Sequence, residues 1–143
     1  MKMLKHLFTP IKVGTIKVRN RIVMPPMGTG FGAPDGTVTE RHINYYEARA
    51  RGGVGLIIAE VTTVNALRKY GINTLGLFND RLIPSWRSLA KAVHGHGAKL
   101  AAQLLDPGPE TASFFGGMPP VGPSVVMSRI FREVPKELSI EEI

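Results

Sequence analysis

A chain of 143 residues with 43% hydrophobic and 20% charged residues has the composition of one folded globular domain, which excludes a disordered segment. No apolar run approaches the ~20 residues of a membrane helix, and the basic N-terminus leads into no signal-peptide pattern, so we expect a cytoplasmic protein without a membrane partner. The net charge is +7, but the Lys and Arg residues are scattered and aromatic residues make up only 7% of the chain, so we expect no nucleic-acid partner.

The first predicted element is a β-hairpin over residues 11–18, where apolar and basic residues alternate on both sides of Gly14-Thr15. Glycine at the first central position favours a type II′ turn. A first buried strand is predicted over 21–25. It ends at Pro25-Pro26, because proline has no backbone N–H to give to a sheet.

A helix is predicted over 39–51. Thr37 has the spacing of a capping box, and Thr39 is the alternative N-cap. Gly52-Gly53 ends the helix, because glycine tolerates the positive φ that is common just past a helix. The run at 54–59 lacks polar alternation, which is typical of a strand buried on both faces of a parallel sheet.

Two further elements follow a turn-rich segment at 62–80. Apolar residues at helical spacing predict a second helix over 82–94, and the apolar run at 99–104 predicts a third buried strand. A hairpin followed by β-α-β-α-β indicates the parallel units of an α/β fold.

The last forty residues have a different character. Residues 107–124 are rich in proline and glycine and predict a long irregular loop. Ser139 and Glu142 have capping-box spacing, which predicts a helix that begins just after Ser139, where the sequence stops. We therefore expect the chain to be part of a larger domain.

The glycine-rich segment MPPMGTGFGAPDG at 24–36 is the first candidate site. Gly28, Gly30 and Ala33 match the dinucleotide fingerprint G-x-G-x-x-(G/A), and Glu60 lies where a ribose-binding acid belongs. That fingerprint needs a helix starting inside the motif, whereas a Pro-Asp-Gly turn delays the next helix, so an NAD-binding Rossmann unit is the weaker interpretation. Two others remain: the glycines only permit a turn, or their bare backbone passes beside a flat ligand ring.

The ends of the three predicted strands also bear on ligand binding, because α/β folds place ligands at the carboxyl ends of parallel strands. Pro26-Met27-Gly28, Glu60-Val61 and Gln103 occupy these ends. The carboxamide of Gln103 is both donor and acceptor, which suits a heterocycle that alternates carbonyl and N–H groups, as the pyrimidine edge of a flavin does. An equally compatible interpretation is that Gln103 hydrogen-bonds a nearby loop.

No metal site is predicted. The chain has no cysteine, which excludes disulfides, thiolate zinc sites and iron–sulfur ligation within it. Its four histidines are spread out, and His94 and His96 are two residues apart, so they point to different sides of a helix.

A series of short motifs extends from residue 7 to residue 143. They are LFTPI at 7–11, VRNRIVMPPM at 18–27, DG at 35–36, TE at 39–40, YY at 45–46, RA at 49–50, GVGLII at 53–58 with Glu60, AVH at 92–94, GAK at 97–99, QL at 103–104, PS at 123–124, LS at 138–139 and EEI at 141–143. In this combination the chain resembles the Old Yellow Enzyme family of NADH:flavin oxidoreductases. MGTG at 27–30 and the loop around 119–135 most resemble the 2,4-dienoyl-CoA reductase and 2-enoate reductase branch.

The resemblance implies a fold. These flavin-dependent ene-reductases are (β/α)8 TIM barrels, so residues 1–143 would be the N-terminal part of a flavin-binding barrel domain whose remainder is absent. They would supply the β-hairpin lid at the bottom of the barrel, the first three strands and two helices. A complete barrel takes about 250 residues.

The resemblance also implies the cofactor FMN, bound across the top of the barrel. The positions of Pro26, Met27 and Gly28 run beside the flavin ring in the family, that of Val61 lies nearby, and that of Gln103 hydrogen-bonds the pyrimidine edge.

The reaction that the resemblance implies is reduction of an activated C=C bond in a small enoyl or enone substrate, with NAD(P)H as reductant and hydride transfer through the flavin. The catalytic groups of the family lie on later strands, so no catalytic residue is expected here. In the dienoyl-CoA reductase branch an iron–sulfur cluster and FAD belong to regions beyond the barrel.

One segment departs from the family pattern. Many members read Gln-Leu-x-His-x-Gly-Arg here, whereas this chain has Asp106 and Pro109 at the histidine and arginine positions, which weakens the expected anchoring of the loop.

We expect the isolated chain to be marginally stable, inactive and prone to self-association or homo-oligomer formation. The alternative function is a standalone α/β nucleotide- or partner-binding module.

Overall fold

The structure is a computed structural model that describes residues 4–143. It opens with an antiparallel hairpin of β1 (Ile11–Val13) and β2 (Ile16–Val18), as predicted. Gly14 has a φ of +57°, whereas Thr15 is not among the residues with positive φ. This combination is the one that a type II′ turn requires.

A parallel sheet forms the centre of the molecule. Its strands are β3 (Val23–Met24), β4 (Leu56–Thr63), β5 (Leu75–Gly76) and β6 (Lys99–Leu105). β4 is the middle strand, because its Leu56 and Ile57 pair with β3 on one edge and with β6 on the other. The short β5 pairs with the last two residues of β4.

Two helices connect the main strands: α1 (Glu40–Arg51) and α2 (Ile83–Gly95). The predicted β-α-β-α-β order is therefore confirmed. The buried core lies between the helices and the sheet. It includes Tyr46 and Ala50 of α1, Leu89 and Val93 of α2, and Ile57 of β4.

The start of α1 corrects one prediction. Thr39 is the N-cap, and its Oγ1 accepts a hydrogen bond from the His42 amide at 3.4 Å. Thr37 does not cap the helix, because its amide donates to Asp35 Oδ1 at 3.0 Å within the preceding turn. The end of the helix is as predicted, with Gly52 as C-cap and Gly53 at a φ of +103°.

The strands differ from their predicted extents. Only two residues of the first strand pair, and the second continues to Thr63 instead of ending at Ala59. The third strand is not buried: Leu104 is 61% exposed. Within the described residues β6 pairs only with β4, so its outer edge has no neighbour.

The last part of the chain is largely irregular, as predicted, but contains short ordered elements. They are α3 (Ser113–Gly116), β7 (Val121–Gly122) and β8 (Lys136–Glu137), of which β7 and β8 pair in parallel. The expected capping box is present: Ser139 and Glu142 exchange hydrogen bonds across a 3₁₀ turn at Ile140–Glu142. None of the helices in residues 4–143 is long and apolar enough to cross a membrane.

Candidate functional site

The five predicted ligand-contacting residues lie where β3, β4 and β6 end. Val61 and Gln103 are register partners on β4 and β6. The segment after β3 reaches the same edge, because the Thr29 amide donates to Glu60 Oε2 at 2.7 Å. Pro26, Met27 and Gly28 precede this contact directly. The structure therefore places the five positions at one edge of the sheet.

A cavity of about 600 Å³ opens at this edge. Two of the five residues, Gly28 and Val61, line it, whereas the other three lie outside its wall. The rest of the lining consists of Gly30, Glu60, Tyr70, Gly71, Ile72, Asn73, Thr74 and Phe115. The segment after β4 thus supplies much of the wall, which the sequence analysis did not predict.

Gly28 leaves open space at the cavity. A Cβ atom built there meets nothing within 4 Å, and its φ is not in the left-handed region. Gly32 is different, because a Cβ there would lie 2.5 Å from the carbonyl oxygen of Asn73. The fold itself therefore requires glycine at position 32 but not at position 28. The interpretation that the glycines only permit a turn does not account for Gly28.

Gln103 has a free carboxamide. Its side chain is exposed and makes no hydrogen bond to any other residue that the structure describes. Within residues 4–143 it therefore satisfies no nearby loop. Its donor and acceptor remain available for a ligand at the end of β6.

Glu60 is not a ribose-binding acid. Its side chain is almost completely buried, at 3% exposure, and both carboxylate oxygens are occupied. Oε2 accepts the Thr29 amide, and Oε1 lies 3.0 Å from His42 Nε2. Burial by itself raises the pKa of the Glu60 carboxyl, but the hydrogen bonds from His42 and Thr29 outweigh it and hold the pKa below its ordinary value of 4.5.

A β-bulge lies at Glu60. Ala59 pairs with Ala102 and Val61 pairs with Gln103, so Glu60 is the extra residue of β4. Its amide leaves the ladder and donates to Tyr46 Oη at 2.9 Å. Burial in turn raises the pKa of Tyr46 to about 12, which keeps the phenol neutral.

The sequence analysis missed His42 and Tyr46 as partners of Glu60. A signal was present, because residues four apart lie on the same face of a helix. The rings of His42 and Tyr46 are indeed nearly parallel, at 6° and 6.2 Å between centroids. Nothing in the local sequence, however, indicated which strand residue this face would meet.

The loop after β6 is anchored, in spite of its departure from the family pattern. Asp106 Oδ2 accepts hydrogen bonds from Arg68 Nη2 at 2.9 Å and Nε at 3.2 Å, and Oδ1 accepts the Gly108 amide at 3.0 Å. The Thr111 hydroxyl donates to the carbonyl of Lys69. The departure at Asp106 therefore does not leave the loop without anchoring, because Arg68 and Lys69 of the loop after β4 supply partners.

No metal-binding cluster occurs among residues 4–143: no three His, Asp or Glu side chains lie close enough together to hold an ion. A ligand at this site would meet mostly backbone and apolar side chains, together with the carboxamides of Asn73 and Gln103. These are the contacts that a flat, largely apolar heterocycle needs.

Comparison with known proteins identifies the chain's relatives. The sequence model of the NADH:flavin oxidoreductase / NADH oxidase family matches residues 6–143. The chain belongs to this family. It is 42% identical over 140 residues to the NADH oxidase of Thermoanaerobacter brockii, an alignment that covers 96% of the chain and 22% of that relative. The chain thus spans about a fifth of the curated relative's length.

Two of the matching solved structures share the fold of the chain. The complex of 2-naphthoyl-CoA reductase with 2-naphthoyl-CoA matches with a TM-score of 0.88 at 28% identity, over 96% of the chain and 23% of that protein. The Old Yellow Enzyme homologue from Zymomonas mobilis matches with a TM-score of 0.85 at 30% identity, over 95% of the chain and 40% of that protein. The fold is a partial (β/α)8 barrel, and the resemblance to the Old Yellow Enzyme family is confirmed.

The structure also decides on the dinucleotide-binding interpretation of the glycine segment. The helix after it begins only at Glu40, beyond the whole motif, and the acid expected to bind ribose is buried. An NAD-binding Rossmann unit is therefore excluded for these residues.

Proposed function

We propose that residues 1–143 are the N-terminal part of a flavin-binding (β/α)8 barrel domain, completed by chain beyond Ile143, in an FMN-dependent oxidoreductase that uses NAD(P)H. The observation that carries the proposal is the edge where Gly28, Val61 and the free carboxamide of Gln103 meet. Membership of the NADH:flavin oxidoreductase family supports FMN as the ligand.

The residues present suit a flavin ring. The open space at Gly28 lets a flat ring approach the backbone, and Val61 offers an apolar contact. Gln103 can both donate to and accept from the pyrimidine edge. Met27, which is 58% exposed, and Pro26 lie beside the same segment and would cover the ring.

When bound, FMN would supply hydride transfer from NAD(P)H to an activated C=C bond of an enoyl or enone substrate. The work of this chain would be to bind and orient the ring. Gln103 would fix the pyrimidine edge, and Val61 with the segment at 26–28 would exclude water from the ring face. We assign proton transfer to none of these residues.

We further propose the 2,4-dienoyl-CoA reductase and 2-enoate reductase branch, with a small enoyl or dienoyl substrate and a cytoplasmic location. The MGTG segment at 27–30 and the loop around 119–135 support the branch. The match to a reductase solved with a CoA thioester supports a related substrate class. An iron–sulfur cluster and FAD would belong to chain outside these residues.

The test is an intact mass and a visible absorption spectrum of the protein purified from its native source. We expect a mass well above 15.6 kDa and a flavin band. Gln103→Ala should then lower flavin retention, whereas Lys99→Ala, at the opposite end of β6, should not. A protein of 15.6 kDa without flavin would contradict the proposal and favour a standalone binding module.

A further inference from the structure

We propose that His42, Tyr46 and Glu60 form a positioning network that holds the backbone on which the flavin would rest. The inference rests on the proposed function. The three residues are at most 2% exposed, and both carboxylate oxygens of Glu60 are used within the chain. They would therefore act through the backbone groups that they bind, without touching the reacting atoms.

The first backbone group is the amide of Thr29. It donates to Glu60 Oε2 at 2.7 Å, a hydrogen bond strengthened by the charge of the carboxylate. The Thr29 hydroxyl lies 3.1 Å from His42 Nε2, so the residue is held at two atoms. Its neighbours Gly28 and Gly30 both line the cavity. Fixing Thr29 thus fixes the bare backbone next to the proposed ring.

The second backbone group is the amide of Glu60. It donates to Tyr46 Oη instead of to the sheet, because the bulge takes it out of the ladder. Without the phenol this buried donor would have no partner, which is unfavourable. The bulge sets Val61 opposite Gln103. Tyr46 therefore stabilises the register that places two of the proposed flavin contacts side by side.

The start of α1 is tied to the same turn. The hydroxyl of Thr39, the N-cap, donates to the carbonyl of Phe31 at 2.7 Å, and His42 Nδ1 lies 3.5 Å from that hydroxyl. One helix thus supplies the anchors for the turn after β3 and for the bulge of β4. These hydrogen bonds hold backbone groups at the sheet edge where the flavin is proposed to bind. Leu89 and Val93 of α2, in contrast, pack in the apolar core.

The experiment compares four variants in the full-length, flavin-loaded protein: Glu60→Leu, Glu60→Gln, Tyr46→Phe and, as control, Leu89→Ala. Leu89 is fully buried but belongs to α2 and makes none of these hydrogen bonds. The readouts are the dissociation constant of FMN, the visible spectrum of the bound flavin and the melting temperature.

We expect Glu60→Leu to weaken FMN binding by about tenfold or more, as loss of a buried hydrogen bond to a charged group does. Glu60→Gln keeps an acceptor for the Thr29 amide and should restore most of the affinity. Tyr46→Phe should weaken binding by about threefold to tenfold and alter the flavin spectrum. Leu89→Ala should lower the melting temperature and leave affinity and spectrum unchanged.

The outcomes separate the two proposals. A wild-type protein without flavin would overturn the proposed function and this inference together. A flavin-loaded wild type in which Tyr46→Phe and Glu60→Leu lower the melting temperature but bind FMN unchanged would overturn the network alone. Tyr46→Phe decides the question if Glu60→Leu does not fold. Equal losses of affinity in Tyr46→Phe and Leu89→Ala would show a merely structural role and would also overturn it.

Discussion

Gly28 and Gly32 lie four residues apart in one glycine-rich segment, yet they have different reasons to be glycine. A Cβ at Gly28 meets nothing within 4 Å, whereas one at Gly32 would lie 2.5 Å from the carbonyl oxygen of Asn73. The first glycine faces the proposed ligand site, and the second allows two backbone segments to approach each other. Sequence alone does not distinguish them, because the two residues are identical.

This difference predicts opposite effects of substitution. Gly28→Leu should weaken flavin binding by about tenfold or more while changing the free energy of unfolding by less than about 0.5 kcal/mol, as surface substitutions do. Gly32→Ala should destabilise the protein by about 1–3 kcal/mol through overpacking. Flavin titration and thermal melting of both variants test this. Loss of stability in Gly28→Leu without loss of flavin would contradict a ligand at this position.

Glu60 predicts a dependence on pH. Its carboxyl has a pKa held below 4.5 in the folded protein, because hydrogen bonds from His42 and Thr29 outweigh the effect of burial. A pKa lowered by folding contributes stability above the unfolded pKa, and this contribution is lost as the pH falls through the folded pKa. The stability difference between wild type and Glu60→Gln should therefore shrink as the pH falls from about 6 to about 3. The measurement is the temperature at which each protein releases its flavin on heating, at each pH. A stability difference between the two proteins that does not change with pH would contradict this prediction.

At the scale of elements, α1 shows how local signals compete. Two threonines precede it with N-cap potential, and the capping-box spacing favoured Thr37. The Asp35 side chain accepts a hydrogen bond from the Thr37 amide within a turn, so the N-cap is two residues later, at Thr39, and the helix begins at Glu40. The capping box at Ser139 and Glu142 forms as predicted, because no such competing turn precedes it.

The N-cap of α1 allows a prediction in which Thr37, two residues earlier, serves as the control. Thr39→Ala should destabilise the first turn of α1 by about 1 kcal/mol, the usual cost of losing an N-cap. Thr37→Ala should have a smaller effect on this helix. Hydrogen exchange of the α1 amides in the full-length protein measures both. Faster exchange in Thr37→Ala than in Thr39→Ala would show that the capping box forms after all.

At the scale of the whole molecule, the sheet is open. The outer edge of β6 has no partner within residues 4–143, and Leu104 on this strand is 61% exposed. Val23 of β3 is also exposed, at 48%. Open edges with apolar side chains pair readily with other chains. In a complete barrel both edges would be covered, because closure leaves no edge.

We therefore predict that the isolated 143-residue polypeptide self-associates. Light scattering after size-exclusion chromatography should give a mass above 15.6 kDa that rises with concentration. Leu104→Lys should reduce this association, because a charge on an edge strand opposes pairing. Leu67→Lys, at a loop residue that is 50% exposed, should reduce it less. A monomer that unfolds cooperatively would contradict the prediction.

The sequence by itself determined the order of the elements and the edge at which the predicted ligand-contacting residues gather. Hairpin alternation, helical periodicity and glycine stops act over a few residues, so they can be read locally. Parallel β-α-β order then places strand ends together, which is why Gly28, Val61 and Gln103 could be singled out.

The tertiary structure alone decided how that edge is held. Glu60 meets His42 across 18 residues of sequence and Thr29 across 31, and Arg68 meets Asp106 across 38. The bulge at Glu60 exists only because β4 has one more residue than β6 between two successive pairs, Ala59 with Ala102 and Val61 with Gln103. Such contacts depend on which surfaces meet after packing. No local sequence pattern predicts these contacts, because each of the polar residues that form them is equally compatible with an exposed position.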